Sequence, residues 1–126
     1  MNNNKIAVLL PYKDHFTNSH AGSASIWVKD FNKSSKYNNQ LTIFGNTPYL
    51  DDLIDKKNYR NLVLKKISLG SKNTLYVNEF VNHQLFHKFK LVEIHNRPSY
   101  VHQIIKNKNK IKIVLIFHNN PITLGG

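Results

Sequence analysis

The side chains most able to do chemistry fall in three short segments, and each segment follows an apolar run. Glu93-Ile94-His95-Asn96-Arg97-Pro98-Ser99-Tyr100 places an imidazole, an amide and a guanidinium side by side. Phe117-His118-Asn119-Asn120-Pro121 sets an imidazole beside an amide again. The third segment, 11–22, carries Lys13, Asp14, His15, Thr17, Ser19 and His20 and leads into Ala21-Gly22-Ser23. The planar fork of Arg97 suits a phosphate or carboxylate. A histidine exchanges protons near neutral pH. Backbone amides at a helix start attract anions, and a glycine there admits a ligand closely. The chemistry on offer is recognition of an anionic ligand with an imidazole at hand. Plainer accounts stand beside it: a capping loop at 11–22, a surface arginine near a helix start, and a core-edge histidine at 118 satisfied by backbone.

Other chemistries lack their residues. There is no cysteine, so disulfides, thiolate metal sites and a cysteine nucleophile are out. The histidines are widely spaced and no carboxylate pair accompanies them; Glu93 is expected to face a helix layer, so no metal site is called for. No G-x-S-x-G elbow exposes a serine. The full G-x-G-x-x-G and the Walker lysine pattern are absent, and nothing in the sequence calls for a cofactor.

Positioning these segments requires strands that end where they begin. Residues 5–11 form an apolar run closed by Pro11, too short for a helix and typical of a strand buried on both faces. Residues 40–45, β-branched and aromatic and ended by Gly45, read as a second strand. Residues 61–67, 90–95 and 111–118 read as the third to fifth. Between them, a helix from Ser23 has Ala24, Ile26, Trp27 and Phe31 at helical spacing, with Ser23 or Ser25 as its cap. A second spans 72–90 with Leu75, Tyr76, Phe80, Val81, Leu85, Phe86 and Phe89 on one stripe. A third spans 98–107, opened by Pro98. Alternating strands and helices predict one α/β domain over 1–126: a Rossmann-like, doubly wound parallel sheet of about five strands with helices on both faces. Right-handed crossovers put every strand exit on one edge, where ligands bind in such sheets.

At 126 residues the chain suits a single core. Apolar residues make up 40% of it and are clustered, which is a globular composition. No apolar run approaches the roughly 20 residues of a membrane span and no signal peptide is read, so a cytoplasmic setting is expected. Sixteen lysines and two arginines against seven acids give a net charge of +11, a surface that attracts phosphates, nucleic acid or acidic lipid headgroups without choosing among them. Biased codon usage accounts for a lysine-rich, asparagine-rich chain equally well.

Residues 5–11, 22–28, 92–100 and 113–121 together resemble the N-terminal domain of retaining GT-B glycosyltransferases of family 4. The likeness is collinear over nearly the whole chain, and its most specific parts are the exits EIHNRPSY and IFHNNP. It implies a nucleotide-sugar donor held by a C-terminal domain and a glycan or lipid-linked acceptor held by this one. Cell-envelope polysaccharide synthesis is the setting it implies. By that resemblance Gly22 and Ser23 lie near the donor phosphates, His118 contacts the transferred sugar as the catalytic residue, and His95, Asn96, Arg97 and Asn119 line the substrate pocket. The chain departs from the pattern where Ala21 replaces the first of a glycine pair. It also lacks the C-terminal domain with its paired glutamates, so this stretch alone is expected to be inactive.

Two other classes compete. A basic nucleotide- or nucleic-acid-binding module fits the charge, but no helix-turn-helix, ribonucleoprotein motif or interleaved aromatics are visible. A receiver module needs acids at the first exit and an aspartate at the third, where Pro11 and Ile67-Ser68 stand. Lys88, Lys90, Lys106, Lys108, Lys110 and Lys112 suggest peripheral attachment to an anionic membrane.

Overall fold

The computed structural model describes residues 5–34, 41–65, 69–107 and 110–118. Five strands are defined there: β1 (Ile6–Leu9), β2 (Leu41–Gly45), β3 (Tyr59–Asn61), β4 (Leu91–His95) and β5 (Lys112–Ile116). The described α-helices are α1 (Ser23–Ser34), α2 (Lys72–Val81) and α3 (Ser99–Asn107). All strand pairs are parallel, in the order β3-β2-β1-β4-β5. This is the α/β doubly wound sheet that the alternating runs predict. From β1 the chain steps outward to β2 and β3, then returns to lay β4 on the other side of β1. The gap between the exits of β1 and β4 is therefore the point where strand order reverses, the place where such sheets bind ligands.

The period of two along each strand divides the core between the two faces. Ala7 and Leu9 of β1 join Val92 and Ile94 of β4 in a cluster with Tyr76, Val77 and Phe80 of α2 and Tyr100 and Ile104 of α3. Val8 and Leu10 face the other way, with Ile43 of β2 and Ala24 and Val28 of α1. Helices thus cover both faces, and the strand exits are fixed by packing from each side. Tyr76 adds a polar tie inside the first cluster, its hydroxyl donating to the Leu10 carbonyl at 2.7 Å. Desolvation pushes that phenol well above its ordinary pKa, so it remains a neutral donor.

Three elements differ from their sequence reading. The third strand lies earlier and is shorter: Leu62 N–H bonds the Gly45 carbonyl at 2.7 Å, after which the chain leaves the sheet and Val63 is 71% exposed. Residues 66–68 lie outside the described residues. The long second helix stops at Asn82, because His83 Nδ1 accepts the Leu85 N–H that a continuing helix would use. Phe86 and Phe89 still reach the core, but from a 3-10 turn at Phe86–Lys88. In α1 the buried stripe is Ala24, Ser25 and Val28, while Ile26 and Phe31 are exposed.

Candidate functional site

One wall of the site is the loop after β1. Asp14 N–H bonds the Pro11 carbonyl at 3.0 Å, closing a turn in which Lys13 takes φ = 74°. A lysine in the left-handed region costs about 1–2 kcal/mol, so the packing around it must impose the turn. The turn aims Asp14 at the start of α1. Its carboxylate accepts from the N–H groups of Gly22 (3.1 Å), Ala24 (3.1 Å) and Ser25 (3.2 Å) and from the Ser25 hydroxyl (2.5 Å). The helix cap thus comes from Asp14, and Ser25, one of the two serines considered for it, donates to that cap. The amides that the sequence offered to an external anion are largely taken by an internal one. Gly22 follows from the same contact, since a Cβ there would stand 2.8 Å from the Asp14 carboxyl atoms.

The opposite wall is the exit of β4. Asn96 sits at φ = 57°, a conformation asparagine tolerates better than most residues. Its N–H extends the ladder to the Ile116 carbonyl at 2.8 Å, and its Oδ1 accepts from His118 N–H at 2.8 Å. Asn96 therefore stitches the exits of β4 and β5 together. Arg97 folds back so that Nη1 donates to the Asn96 carbonyl at 3.0 Å. Tyr100 joins the two walls: its hydroxyl accepts from Tyr12 N–H at 3.1 Å and donates to Asn73 Oδ1 of α2.

Between the walls lies a cleft of about 480 Å³ lined by Pro11, Tyr12, Lys13, Asp14, Gly22, Ser23, Asn96 and Arg97. That volume is in the range of small-molecule sites, about 300–1,000 Å³. Lys13 and Arg97 outnumber the single carboxylate, Asp14, so the lining of the cleft is net positive.

Beside it, on the α1 face of the sheet, three side chains form a chain of hydrogen bonds. Glu93 Oε2 lies 2.8 Å from His95 Nε2, and His95 Nδ1 lies 2.7 Å from His118 Nε2. The two imidazoles stack at 4.9 Å, and Trp27 of α1 closes over them at 5.2 and 6.0 Å. The bonding assigns tautomers. A carboxylate only accepts, so His95 Nε2 carries a proton. When that is the only proton on His95, its Nδ1 accepts, so His118 Nε2 donates and His118 Nδ1 keeps its lone pair. Burial, and then the repulsion between two imidazolium rings this close whenever His95 is protonated, lower the His118 pKa below its ordinary 6.5, with Asp14 and Glu93 pulling the other way. His118 is thus held as a neutral base with one defined acceptor nitrogen.

Of the residues singled out in the sequence, Gly22, Ser23, Asn96 and Arg97 line one cleft, while His95 and His118 meet beside it. Asn119 lies outside the described residues. His95 is fully buried, which makes it a support for His118 and not a cleft wall. Sequence reasoning missed Glu93 as a partner of His95, although their i, i+2 spacing on one strand places both on one face. It also missed Asp14 as the cap and Trp27 as the cover. Among the described residues no group of three or more histidines and acids could hold a metal ion, and no helix is long and apolar enough to cross a membrane. Comparison with known protein families, with curated proteins and with solved structures finds no match to this chain.

Proposed function

We propose that the chain is the acceptor-side, N-terminal domain of a GT-B glycosyltransferase that moves a sugar from a nucleotide-sugar donor to a glycan or lipid-linked acceptor. The observation that carries the reading is the meeting of the two exits on which the family resemblance rests: the His95 and His118 imidazoles are 2.7 Å apart, directly beside the cleft at the strand-order reversal. The chemistry fits sugar transfer. His118 Nδ1 is a neutral acceptor suited to a sugar hydroxyl, and Lys13 and Arg97 suit the phosphates of a donor or of a phosphorylated acceptor. A donor-binding partner domain belongs to the reading, because the family that the chain resembles holds its donor there. The Asp14 cap limits how closely phosphates approach α1, so Arg97 carries more of the anion recognition than the Gly22-Ser23 step does.

The anionic-membrane idea takes a definite geometry. Lys90 and Lys112 lie at the amino ends of β4 and β5, and α3 runs back to deliver Lys106 there, so this basic edge is opposite the cleft. Lys108 lies outside the described residues. A bilayer attached through these lysines would leave the cleft facing away from it.

Saturation-transfer NMR of the chain with nucleotide sugars, neutral and phosphorylated glycans, and a single-stranded oligonucleotide tests the reading. Signals from a sugar ligand that are lost in Arg97→Ala are expected. Binding of the oligonucleotide alone, with affinity falling steeply as salt rises, would establish the basic nucleic-acid module instead.

A further inference from the structure

A second cleft, of about 460 Å³, opens at the exits of β2 and β3 and shares Tyr12 with the first. Asn46 follows β2, and Val63, Leu64 and Lys65 follow β3; Lys72 and Leu75 come from the first turn of α2. The composition is two-sided. Val63, Leu64 and Leu75 supply an apolar wall, and Lys65 and Lys72 supply two cations. Among the large apolar side chains, Leu69 and Val63 are the most exposed of the described residues, at 98% and 71%, and Leu69 adjoins Gly70 at the lip. A contiguous exposed apolar patch along a groove marks an interaction site more often than scattered apolar residues do. Glu79 shares a smaller hollow with Lys65. Among the described residues no carboxylate stands within ion-pair distance of Lys65 or Lys72.

We infer that this second cleft binds a phosphate ester carrying an apolar chain, with the phosphate between Lys65 and Lys72 and the chain against Val63, Leu64 and Leu75. A neutral glycan would leave the apolar wall uncovered, and a bare nucleotide phosphate would use the lysines alone. An amphiphilic phosphate satisfies both halves, and its polar end can continue past Tyr12 toward Lys13 and Arg97. As an acceptor, such a molecule narrows the function proposed above to lipid phosphates and rests on it only in that respect; the binding claim stands by itself.

The test is a ¹H-¹⁵N NMR titration of the chain with dodecyl phosphate below its micelle concentration. Inorganic phosphate, dodecyl maltoside and anionic phospholipid vesicles serve as separate arms. Saturable shifts at Asn46, Val63, Leu64 and Leu75 are expected with dodecyl phosphate, with affinity at least about tenfold above that of phosphate or the maltoside. Lys65→Gln combined with Lys72→Gln should weaken it about tenfold, and Val63→Ser, a change at an exposed position that spares the fold, should weaken it severalfold. Equal binding of maltoside and dodecyl phosphate would overturn the inference by making the cleft a nonspecific apolar surface. So would binding of vesicles without binding of the monomer, or unchanged affinity in the double lysine variant. Because Arg97 lies in the other cleft, sugar binding lost in Arg97→Ala but retained in the double lysine variant separates failure of this inference from failure of the glycosyltransferase reading.

Discussion

Asp14 and Gly22 are one device seen from two residues, and each can be removed separately. Replacing Gly22 with alanine drives a methyl into the Asp14 carboxyl group at 2.8 Å, so Gly22→Ala should lower stability by about 1–3 kcal/mol in a denaturant titration. Asp14→Ala removes the acceptor for three backbone N–H groups and should cost about 1–2 kcal/mol. The double variant should cost less than the sum, since the alanine methyl no longer meets a carboxylate. His118 makes a prediction of the same grain. Long-range ¹H-¹⁵N spectra above pH 7 should show protonated Nε2 on both His95 and His118, and a protonated Nδ1 on His118 would break the assigned relay. Its lowered pKa also has a sign in stability. The unfolded chain takes up the proton near the ordinary value of 6.5, the folded chain only below it, so folding stability falls as pH drops through that interval. His83, lowered by burial and by Arg60, acts in the same direction. Unfolding midpoints measured from pH 8 to 5 should decline below about 6.5, and less so in His118→Asn.

The loops between elements explain what could be read in advance and what could not. The strand exits were legible because buried parallel strands are short apolar runs, and the residues after them stand out as polar. The exits that carry His95 and His118 come together because β4 and β5 pair in register from Leu91↔Lys112 to His95↔Ile116. The bond from Asp14 to the start of α1 was not legible, since it joins positions eight to eleven apart through a turn that no glycine announces. The end of α2 was hidden for a similar reason: the apolar spacing continues through Phe86, while the local choice of His83 to bond Leu85 N–H ends the helix. Element-level predictions follow from the two left-handed residues. Lys13→Gly should stabilise the fold by up to about 1 kcal/mol while removing a cation from the cleft. Asn96→Gly keeps the backbone angle and loses only the bond to His118 N–H, whereas Asn96→Ala loses both. The alanine variant should therefore be less stable than the glycine variant by about 1 kcal/mol, measured by chemical denaturation.

Across the whole molecule, cations gather at both edges of the sheet, and the clefts at one of them. The lysines at the amino ends of β4 and β5 occupy one edge of the sheet, and the two clefts with Lys13, Arg97, Lys65 and Lys72 occupy the other. Composition alone gives +11 and says nothing of this division; only the strand order does. The sheet reverses between β1 and β4, and the proposed sugar site lies at that reversal, so the central claim is about location as much as ligand class. The most direct test is a ¹H-¹⁵N NMR titration of the chain with the nucleotide sugar or glycan that binds it best, followed in wild type and Arg97→Ala. The account predicts shifts confined to Lys13, Ser23, Asn96, Arg97 and the His118 imidazole, and at least about tenfold weaker binding in the variant. Shifts confined to the lysine edge, or sugar binding indifferent to Arg97, would contradict it.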